Sequence, residues 1–157
     1  MLFTRSSRYR SPLSIEAIKQ KLLGQHMKIH NLDFEVTEKD GNTLRIIPHA
    51  EQIESIKTLP ITHVDFSGEG NQTKLRISSK MRRIDKGGPI LITAFCAVLL
   101  GIGIFFQVQS SEETSAYVPY FLGLGLLIFI IFWWRMESGY FDYVRKIRNY
   151  IKKESGV

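Results

Sequence analysis

Apolar and polar residues follow three different rhythms along this chain, and each predicts a different kind of element. Residues 13–84 carry short periodic stretches. Ser14 precedes IEAIKQKLLG, where Ile15, Ile18, Leu22 and Leu23 recur at helical spacing and Gly24 supplies a stop. MKIHNLDFEV then alternates through Leu32, Phe34 and Val36, and the turn signal KDGN leads into TLRII, which Pro48 ends. AEQIESIKTL returns to helical spacing with Ile53 and Ile56. Beyond Pro60, ITHVDFS alternates through Val64 and Phe66, GEGN turns the chain, and TKLRISS follows with Leu75 and Ile77. The predicted fold class is therefore α+β: a small domain over 13–84 with four antiparallel strands and two helices packed on one face. The two hairpins resemble each other, LDF then TLRI against VDF then KLRI, as either a duplication or ordinary hairpin alternation would produce.

The second rhythm is uninterrupted. No charged residue lies between Lys86 and Glu112, and none between Glu113 and Arg135. Each gap holds close to the roughly 20 apolar residues that a helix rising 1.5 Å per residue needs to cross about 30 Å of hydrocarbon. The remaining chain is too short to cover two such helices, so a transmembrane hairpin is expected, with spans at 89–108 and 117–135 and an external loop at 109–116. Gly87 and Gly88 allow a change of direction, and Pro89 suits a first helical turn. Tyr117 and Tyr120 mark one interface, and Trp133, Trp134 and Arg135 the other.

The third rhythm is amphipathic and basic. Over 138–155, Tyr140, Val144, Ile147 and Ile151 share one helical stripe, among Arg145, Lys146, Arg148, Lys152 and Lys153. Such a tail helix is expected to lie in the headgroup plane or to pack under the soluble domain. Residues 1–12 carry three Arg and no acid, and read as a disordered basic arm, although an Arg- and Ser-rich start also fits a mitochondrial transit peptide.

Charge sharpens this picture through its placement. The net charge is +6, and of 21 Lys and Arg, 15 precede the first apolar run, six follow the second and none lies between. Basic residues stay on the cytoplasmic side of short loops, which puts both termini in the cytoplasm of a multi-pass inner (plasma) membrane protein, or in the matrix if the membrane is mitochondrial. Lys80, Arg82, Arg83, Lys86, Arg135, Arg145, Lys146 and Arg148 are the expected lipid-headgroup contacts, each contributing about 1 kcal/mol when close to an anionic surface. Aromatics interleave with bases in the arm and in RKIRNYIKK, as in single-strand binders, but lipid is the nearer counterion and argues against nucleic acid.

Candidate chemistry is sparse. His26 and His30 are four apart but lack the flanking Cys or His-Glu spacing of a metal site, so neither metal nor cofactor is expected. His49 and His63 read as turn and strand-face residues. Asp33 and Asp65 occupy matching positions opposite in direction to Phe34 and Phe66, and are expected to pair with Arg45 or Arg76 rather than to act as acid and base. Ser78 and Ser79 have no base nearby in sequence, and GEGN and KDGN are hairpin turns rather than phosphate loops. The apolar runs hold Thr93, Cys96 and Gln107 but no ionisable group, which argues against active transport. Ala97, Gly101, Gly103, Gly123 and Gly125 permit close helix approach, within one hairpin or between protomers.

No catalytic residue stands out. The expected function is that of a small integral membrane protein with a cytoplasmic binding or scaffolding domain, such as an accessory subunit, whose partners are membrane lipids and a second copy or another membrane protein. Two alternatives remain: an oligomeric, ligand- or stress-regulated pore-forming effector, and a lipid-headgroup enzyme working through His30, Asp33, His63 and Asp65.

Overall fold

A computed structural model describes residues 3–30, 32–49, 58–69, 72–109 and 115–157. The strands are β1 (Arg5–Ser11), β2 (His26–Ile29), β3 (Leu32–Asp40), β4 (Thr43–Pro48), β5 (Pro60–Glu69) and β6 (Gln72–Met81). The helices are α1 (Ile15–Leu22), α2 (Gly87–Gln109), α3 (Val118–Ser138) and α4 (Tyr140–Glu154), with a 3-10 turn at Arg83–Asp85. The chain divides into two compact units, one made of Met1–Arg82 together with Gly139–Val157, the other of Arg83–Ser138.

The first unit is mixed α+β. Its six strands form one antiparallel half-barrel sheet in the order β1-β6-β5-β4-β3-β2. Alternation sets the faces: Met27, Ile29, Phe34, Val36, Leu44, Ile46, Val64, Phe66, Leu75 and Ile77 point into one core. Ile18 and Leu22 of α1 and Tyr143, Ile147 and Ile151 of α4 cover it. Burying such a side chain is worth about 1.5–3 kcal/mol, and Ile18, Leu22, Phe34, Ile147 and Ile151 have no exposed surface at all. Helix α1 begins as the sequence predicts, with Ser14 Oγ accepting from the Ala17 amide at 3.2 Å, and Gly24 follows it at φ 71°.

Four expectations change. The predicted four strands are six. The supposed disordered arm of residues 1–12 contains β1, which pairs with β6 from Arg5↔Ser79 to Ser11↔Thr73. Its alternation is present in RYRS, where Arg8 and Arg10 are exposed and Tyr9 packs against the core, but basic composition masks it. MKIHNLDFEV is two strands, not one: His30 takes φ 54° and the chain doubles back so that Met27 faces Phe34. The two alike hairpins also differ in register, since Phe34 faces Pro48 whereas Phe66 faces Leu75, and a shift interrupts β3 against β4 between Glu38 and Asp40. The helix expected over AEQIESIKTL falls largely on residues 50–57, outside the described residues, as do residues 110–114 of the expected external loop.

The tail helix is part of the sheet's own core. Beside its apolar stripe, polar bonds tie α4 to the N-terminal strand: Ser11 Oγ donates to Ser155 O at 2.5 Å, and Tyr140 Oη donates to Phe3 O at 2.8 Å. Arg5 lies 4.7 Å over the Phe141 ring and Lys152 5.0 Å over Tyr9. The α+β unit is consequently discontinuous in sequence, with residues 83–138 inserted between its last strand and its last helix.

In the second unit α2 packs along α3. Both are long and apolar enough to cross a membrane, and only 22% and 17% of their most apolar windows are buried. A core helix of a soluble protein would be mostly covered; here Leu91, Val108, Tyr120 and Trp134 are at least 70% exposed. The helix seam is dense where glycine allows it. A Cβ on Gly103 would stand 2.7 Å from Leu122 Cδ2, and one on Gly125 3.2 Å from Leu99 Cβ. Phe106 and Phe121 meet edge to face at 5.7 Å across the same seam.

Candidate functional site

Strand β2 ends the sheet. It pairs with β3 on one side and, among the described residues, has no strand on the other. Its pleat sends Met27 and Ile29 to the core beside α4 and leaves His26 and Lys28 exposed. An open groove of about 460 Å³ follows this edge, lined by His26, Met27, Lys28, Ile29 and His30 from the strand and its exit and by Lys146 and Tyr150 from α4. The spacing Asp142, Lys146, Tyr150 repeats every fourth residue, which places these side chains on one flank of α4.

At one end of the groove three groups meet. His30 Nε2 lies 2.9 Å from Asp142 Oδ2 and 2.8 Å from Lys146 Nζ, and the Lys146 ammonium is 3.0 Å from the same carboxylate oxygen. One ring nitrogen serves only one of these neighbours at a time: protonated, it donates to Asp142; unprotonated, it accepts from Lys146. The hydrogen bond from His30 is the chief influence holding the Asp142 carboxyl below its usual range, against partial burial that pushes it up, and Lys146 adds to the lowering. The His30 ring also stands edge-on to Tyr143 at 5.5 Å, which fixes its place above the core.

A second polar set sits on the outer face of β2 and β3. His26 Nδ1 is 2.7 Å from Asp33 Oδ2, His49 Nε2 is 4.0 Å from Glu35 Oε2, and the two imidazoles are 6.2 Å apart. Among the described residues no three His, Cys, Asp or Glu side chains converge as metal ligands do. Asp33 thus takes His26 as its partner, not the expected Arg45. Asp65 accepts from Thr43 Oγ1 at 3.2 Å and lies opposite Arg76 in register. His63 sits between Arg45 and Ser78 in register, and burial, reinforced by Lys39 and Arg45, lowers its pKa. Of His30, Asp33, His63 and Asp65, His63 feels the Asp65 carboxylate, which opposes the lowering, while His30 pairs with Asp142 and Asp33 with His26.

The eight expected headgroup contacts are distributed over both units. Lys80 and Arg82 belong to the end of β6 and its exit, Arg83 and Lys86 to the start of the second unit, and Arg135 to the last turn of α3. Arg145 and Lys146 lie on α4 near Asp142, so Lys146 has a protein partner of its own, and Arg148 is half-buried. Of the small residues, Gly103 and Gly125 pack the helix pair, whereas a Cβ on Gly101 or Gly123 would meet nothing within 4 Å and Ala97 is exposed. Sequence reasoning missed Asp142 and Tyr150, which their four-residue spacing from Lys146 could have found, and the approach of His49 to His26, which only the sheet register creates.

Comparison with models of protein families, with curated proteins and with solved structures finds no match to this chain.

Proposed function

We propose that this chain is a small integral membrane protein whose soluble unit binds or scaffolds a partner, as an accessory subunit does. The carrying observation is that the soluble unit is built from both sides of the apolar helix pair: the chain leaves it after Arg82 and rejoins it at Gly139. A segment whose two ends belong to one folded unit crosses a bilayer an even number of times, so the pair is a hairpin. The placement of all 21 basic residues outside the region between the apolar runs, where Glu112 and Glu113 lie, favours a cytoplasmic soluble unit and cytoplasmic termini in an inner (plasma) or mitochondrial inner membrane. Lipid headgroups are then the natural partners of Lys80, Arg82, Arg83, Lys86, Arg135 and the exposed bases of α4.

A cysteine placed at Ser111 should react with an impermeant maleimide from outside, while cysteines at Arg8 and Lys153 react only after the membrane is opened. Reaction of all three from the same side without opening would overturn the hairpin. Native mass of the lipid-retaining particle separates the roles: a larger membrane protein in the complex makes this chain its accessory subunit. A closed ring of identical chains would favour the pore-forming effector, a reading supported by the uncovered Ala97, Gly101 and Gly123.

A further inference from the structure

We infer that the free edge of β2 is a docking site for an extended, acidic segment of a partner protein, which adds to the sheet beside β2 in the groove under α4. This rests on reading the soluble unit as a binding module and names the chemistry of what it binds.

Three observations carry it. An end strand offers a row of backbone N–H and C=O groups to another extended chain, and among the described residues β2 has a strand on one side only. A helix flanks that edge at groove distance, so an added strand would have a backbone partner on one side and side-chain contacts on the other, the arrangement by which sheet edges capture peptides. The groove is apolar at its floor, through Met27 and Ile29, and polar at its rims, with Lys28 as a cation beside the ion-paired Lys146. Lys28 stands on the strand and Lys146 on α4, with His26 and His30 at the two ends of β2. The carboxylates within reach are already engaged, Asp33 by His26 and Asp142 by His30 and Lys146, whereas Lys28 makes no ion pair among the described residues. A strand laid here would therefore alternate: apolar side chains toward Met27 and Ile29, and Asp or Glu toward Lys28. The same cations would attract a free phosphate or a phosphorylated headgroup, but such a ligand has no use for the strand edge.

The test is selection of random dodecapeptides displayed on phage against the full chain in nanodiscs of neutral lipid. The expected result is recovery of peptides with Asp or Glu alternating with apolar residues. Binding of the best peptide should weaken about tenfold with Lys28→Glu and again about tenfold when two alternate peptide amides are N-methylated, the loss of one charge-assisted contact and of two backbone hydrogen bonds. Hydrogen exchange at the amides of residues 26–29 should slow when it binds. Lys28 is exposed, so its replacement leaves the fold intact, which a thermal melt verifies. No recovered peptide, recovered peptides without acidic enrichment, or binding indifferent to N-methylation would each overturn the inference. So would inorganic phosphate or phosphoinositide vesicles binding through Lys28 while peptides do not. These failures leave the accessory-subunit reading standing, because that reading is decided by native mass and topology.

Discussion

The two units bury apolar side chains by opposite rules. In the α+β unit Phe34, Ile147 and Ile151 are fully covered; in the helix pair Leu91 is 70% exposed and Trp134 74%, and the seam between helices is lined in part by glycine. Water drives the first arrangement, since leaving such side chains wet costs about 1.5–3 kcal/mol each. On the proposed membrane reading the outer surface of the helix pair has no such cost, and association depends instead on close backbone approach. The same residue type should thus have very different energetic weight in the two units.

Isoleucine tests this most strongly. Ile147→Ala removes a side chain with no exposed surface from beneath the sheet and should destabilise the α+β unit by about 2–5 kcal/mol. Ile131→Ala, at a position 57% exposed in α3, should change stability by no more than about 0.5 kcal/mol. Urea unfolding of the full chain in mild detergent, followed by limited proteolysis of each unit, measures both. Equal effects would mean that α4 is not part of the sheet's core or that α3 is covered by something else.

Glycine is the next contrast, and it lies within the helix pair. At Gly101 a methyl group enters open space, so Gly101→Ala should stabilise its helix by up to about 1 kcal/mol. At Gly103 the same methyl meets Leu122 at 2.7 Å and forces it aside, an overpacking that costs about 1–3 kcal/mol. Energy transfer between labels on α2 and α3 during titration with SDS would separate the two variants. If Gly101→Ala instead lowered the mass of the native particle, that open face would be an interface between chains.

Most of what is legible in the sequence is what periodicity and capping encode. Ser14, Gly24, the alternation in β3 to β6 and the uncharged runs each specify their element locally, without help from distant residues. Strand β1 was hidden because Arg5, Arg8 and Arg10 give an edge strand the composition of a solvated arm, and only pairing with β6 makes it regular. Strand β2 was hidden because the turn at His30 uses a positive φ at a residue other than glycine. The partnership of His30 with Asp142 spans 112 positions, a distance over which no spacing rule operates. The groove shares this fate, since one wall comes from before the inserted helices and the other from after them.

That long-range cluster supplies the smallest effect and the clearest separation of the units. The Asp142 carboxyl is held below its usual value, 3.8, chiefly by the hydrogen bond from His30. A depressed carboxylate stabilises the fold fully above its unfolded value, and that contribution is lost as pH falls through the lower folded value. Asp142→Asn, which cannot ionise, should cost about 0.5–1 kcal/mol at neutral pH, from the exposed ion pairs and from the negative charge in the first turn of α4. The difference between wild type and variant should close as the pH drops below 3.8. Because Asp142 belongs to the other unit, the energy-transfer signal of the helix pair should be the same for both proteins across this range. A difference that persisted in acid would assign the role of Asp142 to hydrogen bonding that Asn fails to reproduce, rather than to its charge.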